Sequence, residues 1–412
     1  MVDYRPIPDE RDVFHEYRYY AFAPETGVPA YDPEEHDTPR STLGARRGLY
    51  ERAGDDRPRC VCRHYWLEAS VRGEPHAAAG LASVATPPEY RRRGYVRQLL
   101  AHSFAEYRDH GIRVSVLWPF RYRFYRRYGW DTANWIVTHE CDPDVLSFAA
   151  DRLGSPRDRG RFRPVTGDAY EAIEPVYEAH ADRYALALER DADWWRHRVF
   201  GGHDVDPFVY AYERDGEPRG YVRYAIDDGD DGPIMDVTEL AFVDHDAFLA
   251  LLSFCADHDS QVDRVRLQLP ASVPLRAVAS DPDEIETTVE TGPMVRLVDV
   301  ESTLAALSYP DVDETVTIGV EDPLVGWNEG TYRLAVSGGT ATCERVPETI
   351  DADAADEPDA ALDVGALSQL AVGTRSAPDL HRTGQLDVSG DDAVAAIDAC
   401  FPETDVYLGE FF

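Results

Sequence analysis

The sequence predicts an α/β (α+β) protein: two copies of one α/β unit, then a smaller α+β unit. Three observations predict it. Residues 1–145 and 155–290 repeat one series of helix, strand hairpin, strand-to-helix step and further strand. Residues 294–412 change to short alternating strands, Gly-rich turns and segregated helices. The length of 412 residues, 43% of them hydrophobic, suits a folded chain of about two to four domains, each with its own core.

Each element of the first unit follows from its local pattern. Residues 9–22 open on an acid and space Val13, Tyr17, Tyr20 and Ala21 as a helix. Residues 23–40, rich in Pro, Asp and Glu, read as a loop over a site. Residues 59–71 and 77–86 flank Gly73 and read as a hairpin. The segment Thr86-Pro87-Pro88-Glu89-Tyr90-Arg91-Arg92-Arg93-Gly94-Tyr95-Val96-Arg97 then leads into an amphipathic helix over 96–107. A strand, a short Arg/Gly loop and a helix N-terminus make an anion site, since N–H groups point outward and the dipole favours negative charge. Gly94 lets backbone approach the ligand closely. Residues 114–118 read as a buried strand, 120–128 as an aromatic, Arg-rich helical turn ended by Gly129, and 135–141 as a final strand.

After a linker over 155–162, the second copy has helices over 168–189 and 191–199. A hairpin about Asp215-Gly216 follows, then a strand over 237–243, a helix over 246–256 and a strand over 265–269. Its strand-to-helix step, Phe242-Val243-Asp244-His245-Asp246, lacks Gly and Arg, and its acids repel phosphate. The second copy keeps the topology without the anion site. In the third region, residues 295–304 read as a strand leading into a helix. Strands over 314–320, 330–336 and 341–346, helical segments near 363–372 and 390–400, and an apolar tail follow, with an acidic loop over 351–359.

Composition bounds the partners. There are 41 basic and 77 acidic residues, a net charge of −36, and no lysine, so every one of the 41 is arginine. Acids spread along the whole chain, with Arg replacing Lys, resemble a cytoplasmic protein of a salt-loving organism, whose salt screens the self-repulsion. A cation-binding surface is the alternative. No basic face exists outside one arginine cluster, which argues against a nucleic-acid partner. The six cysteines show no zinc spacing, so small buried thiols and no metal are expected. No apolar run approaches about 20 residues and no signal peptide is read, so a cytoplasmic, soluble protein with no membrane partner is expected.

With these pieces in hand, the chain resembles the GNAT superfamily of N-acetyltransferases. Its acetyl-CoA signature, Arg/Gln-x-x-Gly-x-Gly/Ala, is matched by Arg91 to Tyr95, with Val96 where a small residue is usual. More specifically the chain is similar to the enhanced-intracellular-survival (Eis) branch. That resemblance implies two tandem GNAT acyl-CoA N-acyltransferase folds, the first catalytic (1–145) and the second degenerate (155–290). A sterol-carrier-protein-like α+β domain (294–412) bears a catalytic C-terminus. It implies acetyl-CoA as cosubstrate, held by Val84, Ala85 and Thr86, by Arg92, Arg93, Gly94, Tyr95, Val96 and Arg97, and by Phe120 and Arg121. It implies Tyr125, before Tyr128-Gly129-Trp130, as general acid, and the terminal carboxylate of Phe412 as base. Relatives assemble as hexamers, so a homo-oligomer is expected.

Acetyl transfer needs a thioester held beside an amine, a proton taken from that amine and a proton given to the departing thiolate. A phenol at the sulfur and a carboxylate at the amine meet the last two needs; Tyr125 as a mere core aromatic, the arginines as a solvated face and Phe412 as a mobile end remain the alternatives. For the amine, Glu25, Trp118 and Glu410 are candidates. The expected acceptor is a small polycation of aminoglycoside or polyamine type, or lysine. A protein N-terminus or lysine side chain, and a non-catalytic acyl-CoA- or lipid-binding protein, stay open.

Overall fold

The computed structural model describes residues 2–7, 11–154, 160–203, 205–229, 232–347 and 357–412. Most of the expected linker (155–159) and most of the acidic loop (351–356) lie outside them. The chain forms two compact units, Met1–Asn134 with Gly292–Phe412, and Trp135–Thr291.

The first unit contains a seven-stranded sheet in the order Asp3–Pro6, Ala45–Tyr50, Cys60–Val71, Glu74–Ala85, Val114–Leu117, Met294–Leu297, Asp131–Thr132. The central hairpin turns at Arg72 and Gly73, both at positive φ (54° and 80°), the handedness that a tight two-residue hairpin turn requires. Helix Tyr95–Asp109 buries Leu99, Leu100, Ser103, Phe104 and Tyr107, a single stripe at helical spacing. That stripe packs on Cys60, Cys62, Ala79 and Leu81 of the hairpin. On the opposite face, helix Arg11–Phe22 presses Val13, Phe14 and Tyr17 against Val61 and Ala85.

Two strands stand in sheets other than those their place in the chain implies. Trp135–Cys141, expected to close the first unit, pairs in the second sheet between Arg264–Leu269 and Glu286–Thr291. Met294–Leu297, expected to open the third region, completes the first sheet between Val114–Leu117 and Asp131–Thr132. Alternation predicts a strand but not its partner, because pairing is set by contacts far away in sequence.

The C-terminal part has a five-stranded sheet, Thr340–Arg345, Gly330–Ser337, Glu314–Glu321, Ala360–Asp363, Asp387–Val388, with helices Val364–Val372, Ala377–Arg382 and Asp391–Cys400. It is bound firmly to the first sheet. Arg296 and Asp322 form an ion pair with both side chains 0% exposed. Arg72 donates to the carbonyls of Leu370 (2.7 Å) and Ala371 (2.8 Å), capping the end of helix Val364–Val372. Arg126 bridges Asp131 (2.9 Å) and Asp363 (2.8 Å).

The second unit has its own seven-stranded sheet, from Glu286–Thr291 to the edge strand Arg161–Pro164. The single helix expected over 168–189 is broken. A 3-10 turn, Gly167–Ala172, precedes helix Glu174–Ala181, whose start holds Pro175, and the chain then leaves helical geometry with Leu186 at φ 65°. Proline has no N–H to give and suits only a first turn. The end of the expected linker is strand, and its Pro164 is tolerated because the strand is an edge. Strands Asp3–Pro6 and Ala45–Tyr50 carried no clear alternation and were not expected.

Candidate active site

The site begins where the central hairpin goes out of register. Val61 faces Ala85 and Arg63 faces Ala82, so Ser83 and Val84 together oppose Cys62 in a bulge, with Ser83 at φ 52°. On its other side the strand pairs in parallel with Val114–Leu117 only from Ala78↔Val114 to Gly80↔Val116. Residues 81–85 therefore diverge from that neighbour. A cleft between splayed strands offers backbone groups to an extended ligand, and Val84 and Ala85 lie on its edge. Thr86 follows, its carbonyl held by Arg91 Nε at 3.0 Å.

The arginine loop ends at Gly94, which caps helix Tyr95–Asp109 in left-handed geometry (φ 79°) with no side-chain cap bond. Arg91, Arg92, Arg93 and Gly94 are all exposed. The first N–H groups of a 15-residue helix are thus uncapped by side chains, directly after three exposed arginines in the chain. Tyr95 and Val96 turn inward and pack against the core, so the enlarged residue at Val96 fills space under the loop. Arg97 is exposed, and its Nη2 donates to the Pro323 carbonyl at 2.8 Å, which ties the helix to the C-terminal part.

The second copy closes the same position. Helix His245–Ala256 is capped by Asp244, whose carboxylate accepts the Ala247 N–H at 2.8 Å and is gripped by Arg219 and Arg214. A carboxylate of the chain itself occupies the place where the first copy leaves donors open.

Tyr125 lies on helix Tyr122–Arg126, 4% exposed, with ring centroids of Phe124, Phe120 and Trp130 at 5.1, 5.8 and 6.0 Å. No hydrogen bond to its hydroxyl is found among the described residues. Burial, with a smaller contribution from the Cys62 thiol, pushes its pKa well above the ordinary phenol value. Phe120 is exposed and Arg121, also exposed, precedes the helix.

The chain's last residues return to this sheet. Asn134 Oδ1 accepts the N–H of buried Leu408 at 2.9 Å. Trp118 Nε1 donates to the Glu410 carbonyl at 2.7 Å, and the Trp118 ring lies 5.3 Å from Phe411. Phe412 sets its ring 5.5 Å from that of Tyr65 and against the bare α-carbon of Gly80. Trp118 and Glu410 are thereby brought together with Phe412. Glu25 is not part of this contact network: it is exposed on the turn Pro24–Thr26, with no hydrogen bond or ion pair among the described residues. Sequence reasoning missed Gly80 and Asn134. The first was visible only as the end of an alanine run, and the second carried no signal.

Behind the sheet, Cys62 and His64 meet Ser103 and Glu106 of the long helix. The grouping of thiol, imidazole and carboxylate suggests a nucleophile, yet Cys62 and His64 are both 0% exposed. Burial raises the Cys62 thiol to about 12 and lowers His64 to about 3, so both are neutral cross-links. All six cysteines are buried and free.

Family descriptions match in the same order as the folds. "Acetyltransferase (GNAT) domain" matches residues 4–133 and again 186–297, and "Sterol carrier protein domain" matches 300–409. An uncharacterized N-acetyltransferase of Streptomyces avermitilis is 30% identical over 388 residues, covering 89% of this chain and 87% of that one. The chain belongs to the Eis-type GNAT N-acetyltransferases. N-acetyltransferase Eis of Mycobacterium tuberculosis is 27% identical over 344 residues, 81% of each chain. The crystal structure of Eis1 from Mycobacterium abscessus superposes with a TM-score of 0.76 at 25% identity, covering 100% of both chains. The GNAT fold implies acetyl-CoA, and the uncapped helix start that follows Arg91 to Arg93 fits a pyrophosphate. No described helix is long and apolar enough to cross a membrane.

Proposed function

We propose that this Eis-type transferase moves acetyl from acetyl-CoA to a primary amine in its first GNAT copy, by direct transfer. The observation that carries the reading is the asymmetry of the two copies: Gly94 leaves one helix start uncapped by any side chain, and Asp244 closes the other. Acetyl-CoA supplies the activated thioester. Arg92, Arg93 and the N–H groups from Gly94 to Val96 hold its pyrophosphate, and the divergent edge at Val84 and Ala85 receives the arm that leads to the thioester.

Tyr125 gives a proton to the departing thiolate. Burial keeps the phenol protonated at working pH, and its hydroxyl is not committed elsewhere among the described residues. The carboxylate of Phe412 takes the proton of the incoming ammonium, directly or through water. The packing of Phe411 on Trp118 and of Phe412 on Tyr65 and Gly80 supports this role. Aminoglycoside-like, polyamine-like and lysine acceptors share one reacting group, the primary amine.

Thiol release from acetyl-CoA with a panel of amines, in molar salt, tests the reading. Turnover is expected, with Tyr125→Phe and removal of Phe412 each lowering kcat by about 100-fold or more. Acetyl-CoA binding by the second copy alone, or full rates in both variants, would overturn it.

A further inference from the structure

Arg63, on strand Cys60–Val71, is only 6% exposed, yet no described carboxylate lies within ion-pair distance of it. Nη1 donates to the Tyr65 hydroxyl at 3.2 Å, while Nε is buried without a partner. Its guanidinium stands 5.3 Å from the ring centroid of Phe14, on the helix that covers this face. Arg46 lies directly opposite on the neighbouring strand, with its guanidinium 5.1 Å from the same ring. A buried cation is ordinarily retained only with a counter-charge.

Two other buried arginines follow that rule. Buried Arg296 has Asp322, and Arg190, enclosed by Tyr177 and Trp195, has Glu239 at 2.8 Å. With 77 acidic residues available, the missing partner of Arg63 is not a shortage of acids.

The place is informative. Arg63 faces Ala82 beside the bulge, and Tyr65, two residues on and on the same side of the strand, faces Gly80. Tyr65 and Gly80 are the two residues on which the Phe412 ring rests. Arg63 therefore stands one strand step from the residue pair under the Phe412 ring, on the side of the sheet that carries helix Arg11–Phe22.

We propose that Arg63 holds an anionic group of the amine acceptor, in the simplest case a carboxylate. The inference rests on the transferase reading above and narrows its acceptor. With Nη1 engaged by Tyr65, Nε and Nη2 remain as the side-on fork that matches a carboxylate. An acceptor whose amine reaches Phe412 and whose anion reaches Arg63 supplies the missing counter-charge. A pure polycation meets a fixed positive charge on the same path. Of the acceptor types considered, free lysine fits and polyamines and aminoglycosides do not.

Matched probes test this. In molar salt, 6-aminohexanoate is compared with hexylamine, and lysine with cadaverine, by thiol release from acetyl-CoA and by calorimetric binding to the unaltered protein. The carboxylated member is expected to lead by about tenfold or more, the scale of a charge-assisted hydrogen bond. Arg63→Gln should bring the ratio near one and Arg63→Lys should restore part of it. Equal or better use of hexylamine and cadaverine overturns the inference, as does an unchanged ratio in Arg63→Gln. Calorimetry on the unaltered protein decides the matter even if the variant does not fold. Tighter binding of the carboxylated probes without turnover of any amine would sink the transferase reading and leave the anion site standing. Turnover without preference would do the reverse.

Discussion

The ring of Phe412 rests on Gly80: a β-carbon added to that glycine would come within 2.8 Å of Phe412 Cε2 and 3.1 Å of Leu67 Cδ1. A residue at the end of the chain and one in the middle of the first hairpin are thus fitted to each other. Gly80→Val should push the end of the chain off the sheet. Displacements of about 1 Å at a reacting group cost on the order of 100-fold in rate. We expect kcat to fall by about that factor with acetyl-CoA affinity retained, measured by steady-state kinetics and cofactor titration. An undiminished kcat would separate Phe412 from the chemistry.

The pH profile reports on Tyr125. Its burial raises the phenol above its usual value of about 10, so the acid form persists through the alkaline range. Activity should rise with pH as the amine loses its proton and should show no descending limb below about pH 10. A descending limb near pH 8 would assign the acid to another group.

Asp322 neutralises the fully buried Arg296 and also accepts the N–H groups of Leu324 (2.8 Å) and Val325 (3.0 Å). Asp322→Ala leaves a buried cation and three donors unmatched, since Asn328 Nδ2 also donates to this carboxylate at 3.0 Å. The expected loss is about 3–5 kcal/mol of unfolding free energy, against under about 1 kcal/mol for Asp379→Ala at the more exposed Arg382–Asp379 pair. Urea titrations at fixed salt distinguish them, and similar losses in both would refute the argument.

Acid should weaken the fold through two histidines. Burial lowers His64 to about 3 and His180 to about 4, from an ordinary 6.5. The unfolded chain then binds protons that the folded one refuses. Stability is full above about pH 6.5 and is lost as pH falls toward 3, at up to about 1.4 kcal/mol per unit for each group. Thermal melts at pH 7.5 and 5 should differ, and His64→Gln should narrow the gap. An unchanged gap would place the acid sensitivity elsewhere.

Much of this protein was legible in order along the chain. The stripe from Leu99 to Tyr107, the Arg-Arg-Arg-Gly step and its acidic counterpart at Asp244 are local patterns, and local patterns determine helices, hairpins and caps. So does the resemblance that named the family, because its motif is contiguous. What only the tertiary structure decided involves partners distant in sequence. Alternation in 135–141 and 294–297 foretold strands but not that each completes the other unit's sheet. No spacing foretold that Arg97 would turn to Pro323, or that Asn134 would hold the tail at Leu408. Nor could the sequence show that, among its arginines, Arg63 is buried without a carboxylate. A counter-charge is a matter of distance in space, and distance in space is what a linear pattern does not carry.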